Sequence, residues 1–276
     1  MSTSEDGTQN MTFEDATALM PVEEGTFGWE VPDGWQQGRG AWGGLVAGGL
    51  ARAVLIRAAD PVRRLRTMSV HMCAPLRVGP ATVRVDALRV GSGMSTWAAE
   101  VRDSDGLVAH AVVITGRPRA ADLVQLPTWG DAPAPTLPHW LDVDVLGTDG
   151  PGWPPFMGHV EFRVCAGLPL TGSPARCAGY VGFRDGSTWD AERLVAIIDA
   201  WYPTALAALA ESRPLATVSY AAHLLLAPEH VETGKPLVFE STMSAANDGY
   251  TTETRRLWTH DGRLVVENHQ SVAVIR

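Results

Sequence analysis

The feature that most limits the fold of this 276-residue chain is a pattern that occurs twice. In each half an apolar segment with helical periodicity is followed by four strand-like segments separated by short turns. The two copies lie about 150 residues apart, as a duplicated domain with small insertions would. The sequence therefore predicts two similar units, each with one helix on an antiparallel sheet, joined edge to edge.

The two units are separated by a segment rich in proline and glycine, which includes LPTWGDAPAPTLPHW and TDGPGWPPFMG. Each unit also begins with a strand-like segment before its helix, TFGWEVP in the first and RCAGYVGFRDG in the second. The predicted organisation is a flexible N-terminal tail at 1–20, a first repeat at 21–118, a linker at 119–157 and a second repeat at 158–276.

The first helix begins in the stretch GRGAWGGLVAGGLARAV, residues 38–54, which contains the dinucleotide-binding pattern G-x-G-x-x-G. A dinucleotide site needs a parallel strand after the helix, ending in an acidic residue. Here Asp60 ends the helix itself, and an antiparallel meander follows. A nucleotide site is therefore disfavoured, and the glycines are interpreted as a bare helix face that a sheet or a ligand can approach closely.

Composition excludes several classes of function. A formal net charge of −9 argues against a general nucleic-acid binder. No apolar run reaches the length of a membrane span, and the polar, acidic N-terminus does not resemble a secretion signal. Cys73, Cys165 and Cys177 are an odd number without metal-ligand spacing, so reduced thiols in a cytoplasmic protein without a metal site are expected.

Four segments together resemble the acyl-CoA thioesterase II family: RGAWGGLVAGGLARA, SVHMCAPLRVGP, DAERLVAIIDAWYP and DGRLVVENHQSVAVIR. The resemblance runs from about residue 28 to the C-terminus, apart from the linker. It implies an α+β double hot-dog fold, two tandem hot-dog repeats with a central helix wrapped by an antiparallel sheet in each. It also implies an acyl-CoA substrate, no cofactor other than the coenzyme A of that substrate, and a homo-oligomer, dimer or higher.

Asp199 is the strongest candidate for chemistry. It lies in AIIDAW, the most apolar part of the second helix, where the first helix has an apolar residue near Leu50. A buried carboxylate without partners is costly, although Asp199 could also face solvent on the polar side of the helix. Pro203 cannot donate a helical hydrogen bond to the Asp199 carbonyl, so a kink is expected there.

Thr217 and Gln270 are the candidate partners of Asp199. Taken alone, Thr217 is interpreted as an ordinary strand residue, because Thr67 repeats it in the first copy, and Gln270 as an exposed edge residue. The family resemblance implies that the three residues hold the hydrolytic water: Asp199 as general base, with Thr217 and Gln270 orienting the water. One departure is that the family's stretch from Asp to Pro is one residue longer than 199–203.

Gly43 and Gly44 start the first helix, whose free backbone amides could stabilise a thioester oxyanion. His71 and His223 occupy roughly matching strand positions and are candidates for substrate contact, although histidines of the core or of a tunnel wall would look the same.

A basic cluster of Arg63, Arg64 and Arg66 could meet coenzyme A phosphates or remain solvated. The favoured function is hydrolysis of a fatty or related acyl-CoA at one site per chain, in the second repeat. One alternative is a hot-dog protein that binds acyl groups with little hydrolysis. Another is an enoyl-CoA hydratase or dehydratase, whose Gly-Asp-x-Asn-Pro-like setting this sequence lacks.

Overall fold

The computed structural model describes residues 11–119, 132–148, 150 and 152–275. Its dominant element is a twelve-stranded antiparallel sheet, on whose inner face two helices pack. The first half contributes α1 (Phe13–Ala16), β1 (Met20–Glu23), β2 (Thr26–Val31), β3 (Gln36–Gln37), β4 (Gly40–Ala41), α2 (Gly43–Ala58), β5 (Arg64–Met72), β6 (Gly79–Val90), β7 (Met94–Asp103) and β8 (Gly106–Gly116).

The second half repeats the order of the first. It contributes β9 (Val160–Ala166), β10 (Arg176–Phe183), α3 (Ala191–Ile197), α4 (Ala205–Ala208), β11 (Leu215–Leu224), β12 (Leu237–Asn247), β13 (Tyr250–Trp258) and β14 (Leu264–Val274). Single turns of 3-10 helix occur at Trp140–Asp142, Pro155–His159 and Pro228–His230.

The order of strands in the large sheet is symmetric about its centre. It runs β1-β2-β6-β7-β8-β5-β11-β14-β13-β12-β10-β9, so each half has its own six strands in mirrored sequence. β5 and β11 join the halves as an antiparallel pair, from His71 opposite Ser219 to Thr67 opposite His223. The α+β fold of two tandem repeats joined edge to edge is thus confirmed. Within the described residues no strand pair is parallel, as a nucleotide-binding sheet would require.

The glycine face of α2 serves the contact between the two halves. A Cβ on Gly44 would lie 2.6 Å from the carbonyl oxygen of Ala196, and one on Gly48 would lie 3.3 Å from that of Glu192. α2 and α3 therefore run antiparallel with their backbones close together. The bare face of α2 that the sequence predicts therefore packs mainly against α3.

A bulge near the start of the central strand in each half fixes which residues correspond. The pairing of β5 with β8 shifts between Leu65 and Thr67, and that of β11 with β14 shifts between Thr217 and Ser219. Thr217 and Leu65 each lie just before the bulged residue. The sequence comparison that matched Thr217 with Thr67 is therefore two residues out of register; Leu65 is the counterpart.

Part of the predicted flexible tail is folded. Residues 1–10 lie outside the described residues, but α1 buries Phe13 completely, and the indole of Trp29 donates a hydrogen bond to the Ala16 carbonyl (2.9 Å). Apolar residues at this end of the chain pack into the main core, which corrects the prediction for residues 11–20.

The predicted linker is also packed over its described parts; residues 120–131, 149 and 151 lie outside them. Residues 132–143 cross the outer face of the second half's sheet, where Tyr180 donates to the Pro138 carbonyl (2.6 Å) and Trp258 to that of Ala132 (2.9 Å). Further on, Phe156 is buried and stacks on Trp42, with ring centroids 4.8 Å apart. Among the helices of the described ranges, none combines the length and the apolar character needed to cross a membrane.

Candidate active site

Asp199 lies in a break between two helices. α3 ends at Ile197 and α4 begins only at Ala205, with Pro203 between them. The Asp199 amide still donates to the Ala196 carbonyl (2.9 Å), which continues the last turn for two residues. Because Pro203 offers no N–H to the Asp199 carbonyl, the kink expected from the sequence becomes a complete interruption. The carboxylate thus projects from a helix end and not from mid-helix.

The three predicted catalytic side chains meet in the interior. Asp199 is only 8% exposed, so it does not face solvent. Gln270, on β14, donates from Nε2 to Asp199 Oδ1 (2.8 Å), and Thr217, on β11, donates to Gln270 Oε1 (3.2 Å). Gln270 is 3% exposed, which rules out an edge position. Thr217 is held by Gln270 and makes no direct hydrogen bond to Asp199 in this arrangement.

The first helix begins against the Asp199 carboxylate. A Cβ on Gly43 would lie 2.8 Å from Asp199 Oδ2, and one on Gly44 would lie 2.2 Å from the Trp42 ring. The residue before α2, Trp42, provides no side-chain cap. The Gly44 amide stabilises the ionised carboxylate, and the Trp42 indole donates to the Asp199 carbonyl (3.3 Å). Glycine at these positions lets an acidic group from the other half reach the helix N-terminus.

Two charged residues that the sequence analysis missed complete the site. Arg255 and Glu253 both point inward from β13, with side chains 1% and 0% exposed. Arg255 Nε donates to Glu253 Oε1 (2.6 Å), whereas Arg255 Nη1 lies 3.8 Å from Asp199 Oδ1. Their two-residue spacing in the polar run TETRR would have signalled a shared face, but only the packing shows that this face is internal.

The acidity of Asp199 reflects this setting. Burial, which disfavours the charged form, raises the pKa of Asp199 to about 6, and the nearby Glu253 acts in the same direction. The Arg255 charge and the hydrogen bonds from Gln270 and Gly44 oppose the rise. A carboxyl group with this pKa is ionised at neutral pH yet more basic than an exposed aspartate, as a general base requires.

A cavity of about 400 Å³ lies beside the helix break. Its walls include Ala200, Tyr202 and Pro203 from the break, Leu215 at the start of β11, and Trp153 and Phe156 from the end of the linker. The cavity is thus largely apolar and lies next to the residues that flank Asp199 and Thr217. Ligand cavities with an apolar lining and a few convergent polar groups are the usual form of small-molecule sites.

His71 and His223 are not brought into the site. Along β5 and β11 the inward positions are taken by their neighbours Val70 and Ala222, which are fully buried. Side chains alternate between the faces of a strand, so both histidines point to the outer face. There His71 is exposed, and His223 Nδ1 lies 3.1 Å from the hydroxyl of Thr67.

The basic cluster also lies away from Asp199. Arg63 binds Asp60 (3.0 Å), Arg64 pairs with Glu229, and Arg66 donates to a backbone carbonyl. All three line a larger cavity, about 900 Å³, near the C-terminal end of α2. The larger of the two cavities is therefore not the one beside the Asp199 carboxylate. Within the described ranges, no group of three or more histidines, cysteines or acidic residues has an arrangement that could hold a metal ion.

The fold and this site define a double hot-dog protein whose candidate catalytic side chains lie in the second repeat. Two family models match the chain: an acyl-CoA thioesterase N-terminal domain over residues 31–116 and an acyl-CoA thioesterase C-terminal domain over residues 129–274. The second match alone spans more than half of the chain. The protein belongs to the acyl-CoA thioesterase family and is a thioester hydrolase.

Solved structures share the fold over nearly the whole length. A conserved hot-dog-fold protein from Alicyclobacillus acidocaldarius is 21% identical, with 96% of this chain and 98% of that chain covered and a TM-score of 0.86. The acyl-CoA thioesterase II TesB2 from Mycobacterium marinum is 15% identical, with coverage of 96% and 98% and a TM-score of 0.74. The tesB protein of Mycobacterium avium subspecies paratuberculosis is 14% identical, with coverage of 96% and 98% and a TM-score of 0.77. No curated protein sequence matches the chain significantly.

Proposed function

We propose that the protein hydrolyses a fatty or related acyl-CoA to the free acid and coenzyme A, with Asp199 as the general base for an attacking water. The observation that carries this proposal is the buried chain of hydrogen bonds from Thr217 through Gln270 to Asp199, beside a largely apolar cavity. Asp199, with a pKa of about 6, has the protonation state that the reaction needs near neutral pH.

The reaction follows from the positions of these groups. Gln270 donates to Asp199 Oδ1, and Asp199 Oδ2, which lies beside Gly43, accepts a proton from water as the water oxygen attacks the thioester carbonyl carbon. The carbonyl electron pair moves to oxygen and forms a tetrahedral oxyanion. When this intermediate collapses, the carbon–sulfur bond breaks, and the proton held by Asp199 passes to the departing thiolate. A thioester needs no stronger nucleophile than a water held and oriented in this way.

The backbone amides of Gly43 and Gly44 are the proposed donors to the oxyanion; the Gly44 amide, which faces the ionised Asp199 carboxylate, turns to the oxyanion when that carboxylate takes the proton. They belong to the first turn of a sixteen-residue helix whose preceding residue makes no side-chain cap. Helix N-termini carry free N–H groups and the positive end of the helix dipole, which favour developing negative charge. The position of Asp199 Oδ2 beside Gly43 would bring the base, the water and these donors to one point.

The test is hydrolysis of acyl-CoA substrates of graded chain length by the wild type and by Asp199→Asn. Asparagine keeps the shape and can still accept from Gln270, but it cannot take the proton. We expect kcat to fall by roughly 10²–10⁴-fold, with little change in acyl-CoA binding. Asp142→Asn, at an exposed position, is the matched control and should leave kcat unchanged. Full activity of Asp199→Asn would overturn the mechanism; binding without hydrolysis by the wild type would favour the acyl-binding function.

A further inference from the structure

We propose that Glu253 and Arg255 are positioning residues for Asp199: as a buried pair they fix both ends of the break that carries it, and Glu253 keeps Arg255 from forming a direct salt bridge with Asp199. This inference rests on the proposed role of Asp199 as the base. It concerns two side chains that do not touch the reacting atoms and that act through the Asp199 carboxylate.

Hydrogen bonds from this pair reach both ends of the break. Arg255 Nη1 donates to the carbonyl of Ile198, the residue before Asp199 (3.3 Å). Glu253 Oε2 accepts from the amide of Thr204, the residue before α4 (2.7 Å). Two inward residues of one rigid strand thus satisfy backbone groups that the interrupted helix leaves without partners. The position of Asp199 is thereby tied to β13.

The charge of Arg255 is divided unequally between the two carboxylates. Its Nε and Nη2 atoms lie 2.6 and 2.5 Å from Glu253 Oε1, while Asp199 Oδ1 is 3.8 Å from Nη1. Direct pairing with a guanidinium would lower the pKa of Asp199 and weaken it as a base. Glu253 takes the short contacts, so Asp199 receives only part of the positive charge.

Other titratable groups around Asp199 are neutral. Tyr220, on β11, points at α3 and donates to the Val195 carbonyl (2.5 Å), and burial raises its pKa well above the usual range. Cys177, on β10, lies near the Glu253–Arg255 pair, and burial raises its pKa to about 12. The other groups against Asp199 are the Gln270 amide, the Trp42 indole and the backbone of α2, none of which titrates. Within the described chain, Glu253 and Arg255 are therefore the charges that set the basicity of Asp199.

The experiment compares the titration of Asp199 in Arg255→Met and Glu253→Gln. Loss of the cation should move the acidic limb of the kcat/KM profile, which we expect near pH 6 in the wild type, upward by about one unit or more. Loss of the Glu253 charge frees Arg255 for Asp199, so the limb should move downward and kcat at pH 7.5 should fall about tenfold. Arg255→Lys keeps the charge without the fork and should leave the limb near the wild-type position with a lower kcat.

Arg256→Met is the control, because Arg256 is the next residue on β13, points outward and pairs with Glu267 (2.6 Å). It should leave the limb and kcat unchanged. The pKa of Asp199 is also measured without substrate, by NMR of ¹³C-labelled aspartate carboxyls, with Asp199→Asn to assign the signal. Failure of the wild type to hydrolyse any acyl-CoA would count against the proposed function alone, since the NMR shifts would still report the pairing.

Opposite shifts of the Asp199 titration in the two variants would support the inference. Shifts in the same direction, or activity losses with an unmoved titration, would overturn it and leave the pair a purely structural element. If Arg255→Met does not fold, the comparison of Glu253→Gln with Arg255→Lys decides alone: a titration that Glu253→Gln leaves at the wild-type position would refute the role of Glu253.

Discussion

The two halves of the molecule share the order and register of their strands, yet they differ in what they place at matching inward positions, five of which carry the polar set of the second half. In the sheet, Gln270 lies opposite Glu253 just as Val113 lies opposite Trp97, and Asn268 lies opposite Arg255 as Ala111 lies opposite Ala99. The second half has Asp199, Thr217, Glu253, Arg255 and Gln270; the first has Leu50, Leu65, Trp97, Ala99 and Val113, all buried.

The two halves also differ in how far their buried residues depend on one another. Burial itself stabilises the apolar residues of the first half, and the one polar side-chain atom among them, Trp97 Nε1, donates to Thr115 Oγ1 (3.0 Å). In the second half the three charged members of the set each depend on another group: Asp199 on Gln270, Arg255 on Glu253, and Glu253 on the Thr204 amide. A repeat can therefore lose or gain such a site only through several coupled changes, while its fold stays the same.

The largest expected effect comes from breaking the polar set at one point. Arg255→Met leaves Asp199 and Glu253 as two buried carboxylates without a cation and should lower the free energy of unfolding by about 3–5 kcal/mol. The triple change Asp199→Asn, Glu253→Gln and Arg255→Met removes every charge and keeps acceptors for Gln270 and Thr204, so it should stay within about 1 kcal/mol of the wild type. Urea unfolding measures both. A triple variant as unstable as Arg255→Met would show that hydrogen bonds, and not charges, couple the set.

A second effect should appear as pH changes. The pKa of Asp199 is about 6 in the folded protein, above its ordinary value of 3.8, so Asp199 binds its proton more tightly in the native state. Its contribution to stability is therefore lost as pH rises from 4 through 6. Between pH 4 and 7.5 the wild type should lose about 2–3 kcal/mol relative to Asp199→Asn. Comparison with Asp199→Asn removes the pH-dependent contributions of other titrating groups. One of these is Asp60, whose pKa is lowered to about 2 by Arg117. A gap that stays constant with pH would mean that Asp199 is not perturbed.

How much of the fold and of the site can be predicted from the sequence depends on how far apart in the sequence the interacting residues lie. The ten strands predicted from alternation and turn residues are all present, because those signals are local. Asp199 and Gln270 were identified, one as a charge in an apolar segment and one through a family resemblance. Glu253 and Arg255 were missed, since TETRR resembles a solvated strand and only long-range packing buries one of its faces. An alignment of the two copies in the correct register would have revealed both residues, because Glu253 aligns with Trp97 and Arg255 aligns with Ala99.

The sequence also could not place the bulges that set this register. A bulge inserts one residue into a strand and reverses which side chains point inward beyond it. The segments 65–69 and 215–219 are therefore similar in sequence but do not occupy matching positions in the sheet. Thr217 corresponds to Leu65 and not to Thr67. The helix break at Pro203 was foreseen only as a kink, because the hydrogen bonds that hold its ends come from β13, far away in sequence.

A third pair of variants compares two glycines of α2: Gly49, which packs in the first half's core, and Gly43, which lies against Asp199 of the second half. Alanine at Gly49 would place a Cβ 2.6 Å from the ring of Trp29, within the first half's core. We expect a loss of about 1–2 kcal/mol in unfolding free energy and unchanged hydrolysis. Alanine at Gly43 would place a Cβ 2.8 Å from Asp199 Oδ2, so kcat should fall by roughly 10–10²-fold with a stability change below about 1 kcal/mol. Equal losses of activity in the two variants would contradict the assignment of one site to the second half.

The smallest effect is expected on the outer face of the sheet, where each half places a histidine on its central strand. His71 and His223 sit on the paired central strands, one exposed and one sharing a contact with Thr67, and both point away from Asp199. His71→Ala and His223→Ala should each change the unfolding free energy by no more than about 0.5 kcal/mol and leave kcat/KM within roughly twofold of the wild type. Because neither ring faces the carboxylate, the acidic limb near pH 6 should also stay in place. A tenfold loss of kcat/KM in either variant would mean that substrate contacts the outer face of the sheet. The active site would then not be confined to the inward polar set.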